Sequence, residues 1–225
     1  MATTTGQRIG IWIIAGALVI GTVGGFLAMM LAPKNAAKDS AYREQLLADY
    51  QADYAEYDKK KTEKTGKYTE NADKYSKEHY PVFGPFEERV GTFEADSVTE
   101  LKTEDLKQGS GTAVADDKAF VAYYVGWTPD GKIFDGSFDG DALKAPLVVE
   151  PGGVIEGWTK GVQGMKVGGI REITIPSDMA YGEQGSGDTI PPNTPLKFLV
   201  YVIDVVDLGV APQPSEELMK LYAQQ

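Results

Sequence analysis

The 225-residue sequence contains no cysteine and one histidine, His79. The missing cysteine excludes a disulfide framework, a thiolate zinc site, a cysteine nucleophile and a lipid-modified N-terminal cysteine. His79 stands beside Tyr80 and Pro81 in a polar stretch, which argues against histidine-based triads and multi-histidine metal sites. Clustered basic residues are also lacking in the C-terminal part, where residues 81–225 carry 11 Lys and Arg against 23 Asp and Glu, a net charge of −12. Duplex binding needs such a cluster to displace counterions from phosphates, so no nucleic acid partner is expected. With 42% hydrophobic and 24% charged residues, the chain is neither collagenous nor wholly disordered. Its length suffices for one globular domain and an additional segment.

Long uncharged runs occur in one place. After a tail of residues 1–8, the 24 residues from Ile9 to Ala32 carry no charge. As a helix they would measure about 36 Å, against about 30 Å of hydrocarbon core, which predicts a transmembrane helix over 9–32. A cleaved signal peptide is the competing reading. The apolar region of a signal peptide is shorter, about 7–15 residues, and Met30, Leu31 and Ala32 before Pro33 make a poor cleavage site. Arg8 precedes the span while Lys34, Lys38 and Arg43 follow it, a weak positive-inside argument for a cytoplasmic C-terminal part. Gly21 and Gly25 form a GxxxG pair that can let two membrane helices approach, although glycine is also simply tolerated in such helices.

Residues 33–96 read as a charged, Tyr-rich spacer and linker. Residues 34–80 hold ten charges of each sign, and seven of the twelve tyrosines lie in this region. Tyr42, Leu46, Tyr50, Tyr54 and Tyr57 recur at steps of three or four, which predicts a helix from Asp39 to Lys61 with one aromatic stripe, interrupted at Gly66. The stripe reads as a solvated tether packing lightly on the domain, or alternatively as a docking or self-association face. Val82 to Gly91, with Phe83, Pro85 and Phe86, reads as a linker lying against the domain. In the C-terminal tail, residues 209–225, Ser215 before Glu216 and Glu217 signals the N-cap of a short helix.

From Ser97 to Leu208 the pattern changes to short strands and turns. Phe120–Trp127, Leu147–Val149, Ile170–Ile175 and Leu196–Val206 are rich in β-branched and aromatic residues, and Thr128, Pro129, Asp130 and Gly131 predict a tight turn and a hairpin. Trp158, Val162 and Met165 fall at i, i+4 and i+7 of one short helix, weakened by Gly161 and Gly164 and in need of tertiary support. The fold class is therefore α+β, a twisted antiparallel β-sheet wrapped around one short α-helix, preceded by a transmembrane helix and a polar helical spacer.

The strings YYVGWTPDGKIFDGS from Tyr123, VIEGWTKGVQGM from Val154, VGGIREITIP from Val167, AYG from Ala180 and IPPNTPLKFLVYVID from Ile190 together resemble an FKBP-type peptidyl-prolyl cis/trans isomerase, in family order across 97–208. The resemblance implies catalysis of X–Pro rotation on proline-containing polypeptides, in assistance of folding, with no cofactor and no metal. It implies a proline-binding cavity walled by Tyr124, Phe134, Val154, Ile155, Trp158 and Phe198, with Trp158 as its floor and Ile190 at its edge. The Ile155 N–H and the Tyr181 hydroxyl take the positions of donors to the bound peptide. Asp135 takes that of the acidic residue that orients the Tyr124 hydroxyl. Tyr124, Asp135, Ile155, Trp158 and Tyr181 are thus the expected catalytic set. A macrolide-type inhibitor would occupy the same pocket. Anchored or exported relatives commonly act outside the cytoplasm, which implies an extracytoplasmic domain against the charge count.

The chemistry suits such residues. Rotation about an X–Pro bond crosses a barrier of about 18–20 kcal/mol because the planar amide loses resonance, and no bond is broken. The twisted amide is less dipolar than the planar one, so a dry aromatic cavity favours it. A thousandfold acceleration requires only about 4 kcal/mol. This sequence departs from the family pattern at Gly140 or Asp141, where a basic residue is frequent, at Ala145, where an aromatic is, and at Thr189, where a second apolar residue is. These changes open and polarise one side, so the rival reading is a peptide-binding or chaperone module with weak turnover. A structural anchor acting through the tyrosine stripe is a third. Gly182, Gly185 and Gly187 lack the strand-to-helix context of a dinucleotide motif and read as a flexible loop over the pocket, while Asp135, Asp139 and Asp141 lack the calcium-loop spacing.

Overall fold

The computed structural model describes residues 37–223. The tail of residues 1–8 and the span of residues 9–32 lie outside the described residues. Among the described residues, no helix is long and apolar enough to cross a membrane. Two compact units are present, one formed by residues 37–55 together with 212–223, the other by Glu56–Ala211.

Helix α1 (Ala37–Glu70) continues through Gly66, contrary to the expected interruption. Glycine inside a helix costs only about 0.5–1 kcal/mol. Burial of Thr65 and Tyr68 on either side of it, at 8% and 1% exposure, offsets that cost. Helix α2 (Ala72–Phe83) extends across Pro81 and gives way to a 3-10 segment, Gly84–Arg89. The remaining elements are β1 (Lys102–Lys107), β2 (Ala119–Trp127), β3 (Ile133–Gly136), β4 (Leu147–Val149), α3 (Glu156–Gly161), β5 (Ile170–Ile175), β6 (Leu196–Val206) and α4 (Glu216–Ala223). At the start of α4 the Leu218 N–H donates to Ser215 Oγ at 3.1 Å, the expected cap.

Every strand pair is antiparallel, in the order β1-β5-β6-β2-β3, with β4 also on β2. Strand β2 sits deep in the sheet and is buried on both faces, so it reads as an unbroken apolar run, and the side-chain period of two decides what each face receives. Phe120, Ala122 and Tyr124 point to the front, where with Ile173, Ile175, Phe198, Val200 and Val202 they meet Trp158, Val162 and Met165 of the α3 segment. Tyr123, Val125 and Trp127 point to the back.

Gly157 and Gly161, unfavourable for an isolated helix, are what bring α3 onto the sheet. A Cβ at Gly157 would stand 2.2 Å from Ile175, and one at Gly161 2.6 Å from Ile173. Arg171 reaches from β5 to the C-terminal end of α3, donating to the carbonyls of Gly161 at 2.8 Å and Gln163 at 3.1 Å.

The back face is covered by residues N-terminal to the sheet. Phe83, with Phe86, Val90 and Phe93, packs on Val125, Trp127, Leu199 and Tyr201. The Trp127 Nε1–H donates to the Gly91 carbonyl at 3.0 Å. Glu172, 6% exposed, is met by Arg89 Nε at 3.0 Å and Lys197 Nζ at 2.7 Å. Tyr57 and Tyr68 pack with Val121, Val206 and Leu208, so the last four turns of α1 join the core on this side of the sheet. His79, expected in a polar stretch, lies half-buried among the rings of Tyr75, Tyr123 and Tyr201.

Candidate functional site

On the front face, aromatic side chains from four elements of the chain converge. The Trp158 ring stands edge-on to Tyr124 and to Phe198, both at 5.5 Å between centroids, and Phe134 stands edge-on to Phe198 at 5.5 Å. Strand β2 supplies Tyr124, β3 Phe134, α3 Trp158 and β6 Phe198. Near-perpendicular geometry sets positive ring edges against negative faces. Trp158, Phe198 and Ile190 are 3%, 4% and 3% exposed, while Tyr124, Phe134, Val154 and Ile155 are half-buried around them. Tyr181 is 37% exposed and follows the Ser177–Met179 turn.

The polar groups lie at the margin of this cluster. The Tyr124 hydroxyl donates to Asp135 Oδ2, and the exposed Asp135 carboxylate also takes the Gly136 N–H at 2.8 Å. Burial first, then the hydrogen bond to Asp135, pushes the Tyr124 phenol well above its ordinary range. Tyr181 is likewise pushed up, by burial and then by the Asp135 charge. Both hydroxyls therefore keep their protons and remain donors across neutral pH. Ile155 is the N-cap residue of α3, its carbonyl accepting from Trp158 N at 3.0 Å and Thr159 N at 3.1 Å. Its own N–H takes no part in the helical ladder.

Seven of the nine residues singled out in the sequence, Tyr124, Phe134, Val154, Ile155, Trp158, Ile190 and Phe198, share the front-face cluster, Asp135 joins it through the Tyr124 hydroxyl, and the exposed Tyr181 lies close enough to feel the Asp135 charge. The glycine-containing loop after Tyr181 is closed by a short backbone bridge. Ser186 and Ile190 pair with each other through both backbone bonds, at 2.8 and 3.1 Å, and a Cβ at Gly185 would lie 2.3 Å from the Ile190 carbonyl. Ala145 and Thr189 are exposed.

Two residues outside that set matter. Gly126 makes room for the rings, since a Cβ there would stand 2.5 Å from Phe198 and 2.6 Å from Phe134. Its signal was a lone glycine inside an aromatic strand, which marks close approach of another group. Ser137 locks Tyr124, accepting from its N–H at 3.0 Å through Oγ and donating to its carbonyl at 2.7 Å through the backbone. No sequence pattern distinguished it from an ordinary turn serine.

An antiparallel sheet that presents interlocked aromatic rings beside a short helix, with hydroxyl groups at the margin, places the protein in the α+β class. The sequence profile of the family described as FKBP-type peptidyl-prolyl cis-trans isomerase matches residues 109–203. An "FK506-binding protein" of Neisseria meningitidis serogroup A is 42% identical over 109 residues, 48% of this chain and 97% of that protein. A "Probable FKBP-type peptidyl-prolyl cis-trans isomerase" of Haemophilus influenzae is 39% identical over 97 residues, 43% of this chain and 39% of its own length. A crystal structure of a peptidyl-prolyl cis-trans isomerase from Pseudomonas syringae pv. tomato is 32% identical, covering 57% of this chain and 94% of that one at a TM-score of 0.43. The chain belongs to the FKBP-type peptidyl-prolyl cis-trans isomerase family.

Proposed function

We propose that this isomerase works by desolvation, holding a prolyl ring against Trp158 between Tyr124, Phe134, Val154, Ile155 and Phe198 while the preceding amide twists. The observation that carries this reading is the edge-to-face set of Trp158 with Tyr124 and Phe198, each at 5.5 Å, closed by Phe134. Rings fixed in this way lose little freedom on binding and exclude water from the amide, which favours the less dipolar twisted state. The Ile155 N–H and the Tyr181 hydroxyl donate to carbonyls of the bound peptide, Ile190 closes the edge, and Asp135 orients Tyr124 without transferring a proton. In a protease-coupled proline-peptide assay the full chain accelerates isomerisation and Trp158→Ala loses most of that acceleration; equal rates would reject the reading.

The wider setting is part of the same proposal. Residues 9–32 anchor the chain in a membrane, residues 33–96 space the isomerase domain, 97–208, from it, and that domain acts outside the cytoplasm on partly folded chains, as a folding assistant. Slow X–Pro exchange, tens of seconds uncatalysed, gives such a catalyst its use. A macrolide-type inhibitor competes for the same rings, as the names of FK506-binding relatives suggest. Digestion of intact cells by added protease removes the domain under this reading, and full protection contradicts it. The exposed Ala145 and Thr189 favour a second reading, a peptide-binding or chaperone module with weak turnover. Suppression of client aggregation by a chain that shows no isomerisation distinguishes it.

A further inference from the structure

We infer that Glu150 is a positioning residue for the isomerase site, gripped from behind the sheet by Tyr57 and Lys61 of α1; this rests on the aromatic cluster being the seat of isomerisation. Strand β4 has only three residues, and β2 is its one strand partner among the described residues. The chain leaves β4 through Glu150, turns over Pro151 and Gly152 with the Gly153 N–H donating to the Glu150 carbonyl at 3.0 Å, and enters Val154 and Ile155. Gly152 has φ +74°. Two residues of the site thus hang on a glycine-rich turn that begins at Glu150.

Glu150 is fixed by side chains of the helix. The Tyr57 hydroxyl, on a ring 8% exposed, donates to Glu150 Oε2 at 2.6 Å, and Lys61 Nζ bonds Oε1. Tyr57 and Lys61 stand one helical turn apart, so one face of α1 occupies both carboxylate oxygens. A second fastening lies ahead of β4, where the buried Leu143 N–H donates to Ser76 Oγ at 2.8 Å and Phe83 stacks on Phe138 at 5.0 Å. The helices therefore hold the segment between β3 and α3 at both ends. Exposed ion pairs contribute little to stability, and Lys61 and Glu150 are 34% and 27% exposed, so the effect falls on geometry. Small displacements of a binding wall are costly in rate, and a turn that carries binding residues moves KM before kcat.

The test is made in the full chain with a proline-containing peptide. Glu150→Ala is expected to raise KM about three- to tenfold with kcat little changed, and Glu150→Gln, which still accepts from Tyr57, to recover part of that loss. Lys118→Met, which breaks the Lys118–Asp207 pair elsewhere, is expected to leave KM unchanged. Amide hydrogen exchange at Trp158 and Thr159, whose N–H groups bond the Ile155 carbonyl, is expected to quicken in Glu150→Ala, less in Glu150→Gln, and not in Lys118→Met. An active parent whose KM is unaltered by Glu150→Ala overturns the inference. An inactive parent instead refutes the catalytic reading, and unaltered exchange at Trp158 and Thr159 then overturns the inference independently.

Discussion

At the scale of single residues, the site depends as much on an absent side chain as on the rings. Gly126 lies where a Cβ would strike both Phe134 and Phe198. Gly126→Ala should therefore cost about 1–3 kcal/mol, as overpacking does, and lower isomerase activity more than stability alone explains. Urea unfolding alongside the peptide assay checks this, and full activity at reduced stability would separate the rings from turnover. The rings themselves were legible in the sequence through their strings and order. Gly126 was legible only as a lone glycine in an aromatic strand and Ser137 not at all, because their parts depend on which rings and amides come to face them across the hairpin.

At the scale of elements, four of the six strands were readable; β1, a polar and exposed edge strand, was not, β3 showed only as the return of a hairpin, and the helices were partly legible. Bounds such as Leu147–Val149 and Ile170–Ile175 follow directly from β-branched runs between turn formers. Helix α1 outruns its aromatic stripe because tertiary burial of Tyr57 and Tyr68 overrides the local signal of Gly66. Docking of α2 is expected to depend on pH through His79. His79 lies among Tyr75, Tyr123 and Tyr201, with Nδ1 3.1 Å from the Tyr201 hydroxyl, and burial holds its pKa below the usual value while the neighbouring Glu78 opposes that shift. Lys107, 5.9 Å over the Tyr201 ring, is the other charge on that ring. Because the folded state binds the proton more weakly than the unfolded chain, the stabilisation is complete above pH about 6.5 and declines as pH falls toward the folded-state pKa. Thermal unfolding from pH 7.5 to 5.5 should show the parent losing more stability than His79→Phe, whose slope reflects carboxylates alone. Identical slopes would exclude His79 as the source.

At the scale of the whole molecule, the N-terminal residues from Glu56 onward belong to the same compact unit as the sheet. They cover Val125, Trp127, Leu199 and Tyr201 and supply Arg89 to the buried Glu172. Removal of residues 1–55 should leave the remaining unit with cooperative unfolding. Removal of residues 1–96 should expose the back face, with dye binding to apolar surface and a Tm lower by several degrees, about what a loss of a few kcal/mol produces. Equal Tm for the two truncations would contradict this packing. Composition alone concealed it, since ten positive and ten negative charges over residues 34–80 mask the few tyrosines and phenylalanines that face inward.

The central claim, that rotation is promoted by a dry aromatic site without proton transfer, is tested most directly by NMR exchange between the cis and trans forms of a proline peptide in the presence of the full chain. The account predicts accelerated exchange that is flat from pH 7 to 9, where Tyr124 and Tyr181 stay protonated, and largely lost in Trp158→Ala. Exchange no faster than in buffer, or acceleration undiminished in Trp158→Ala, would contradict it.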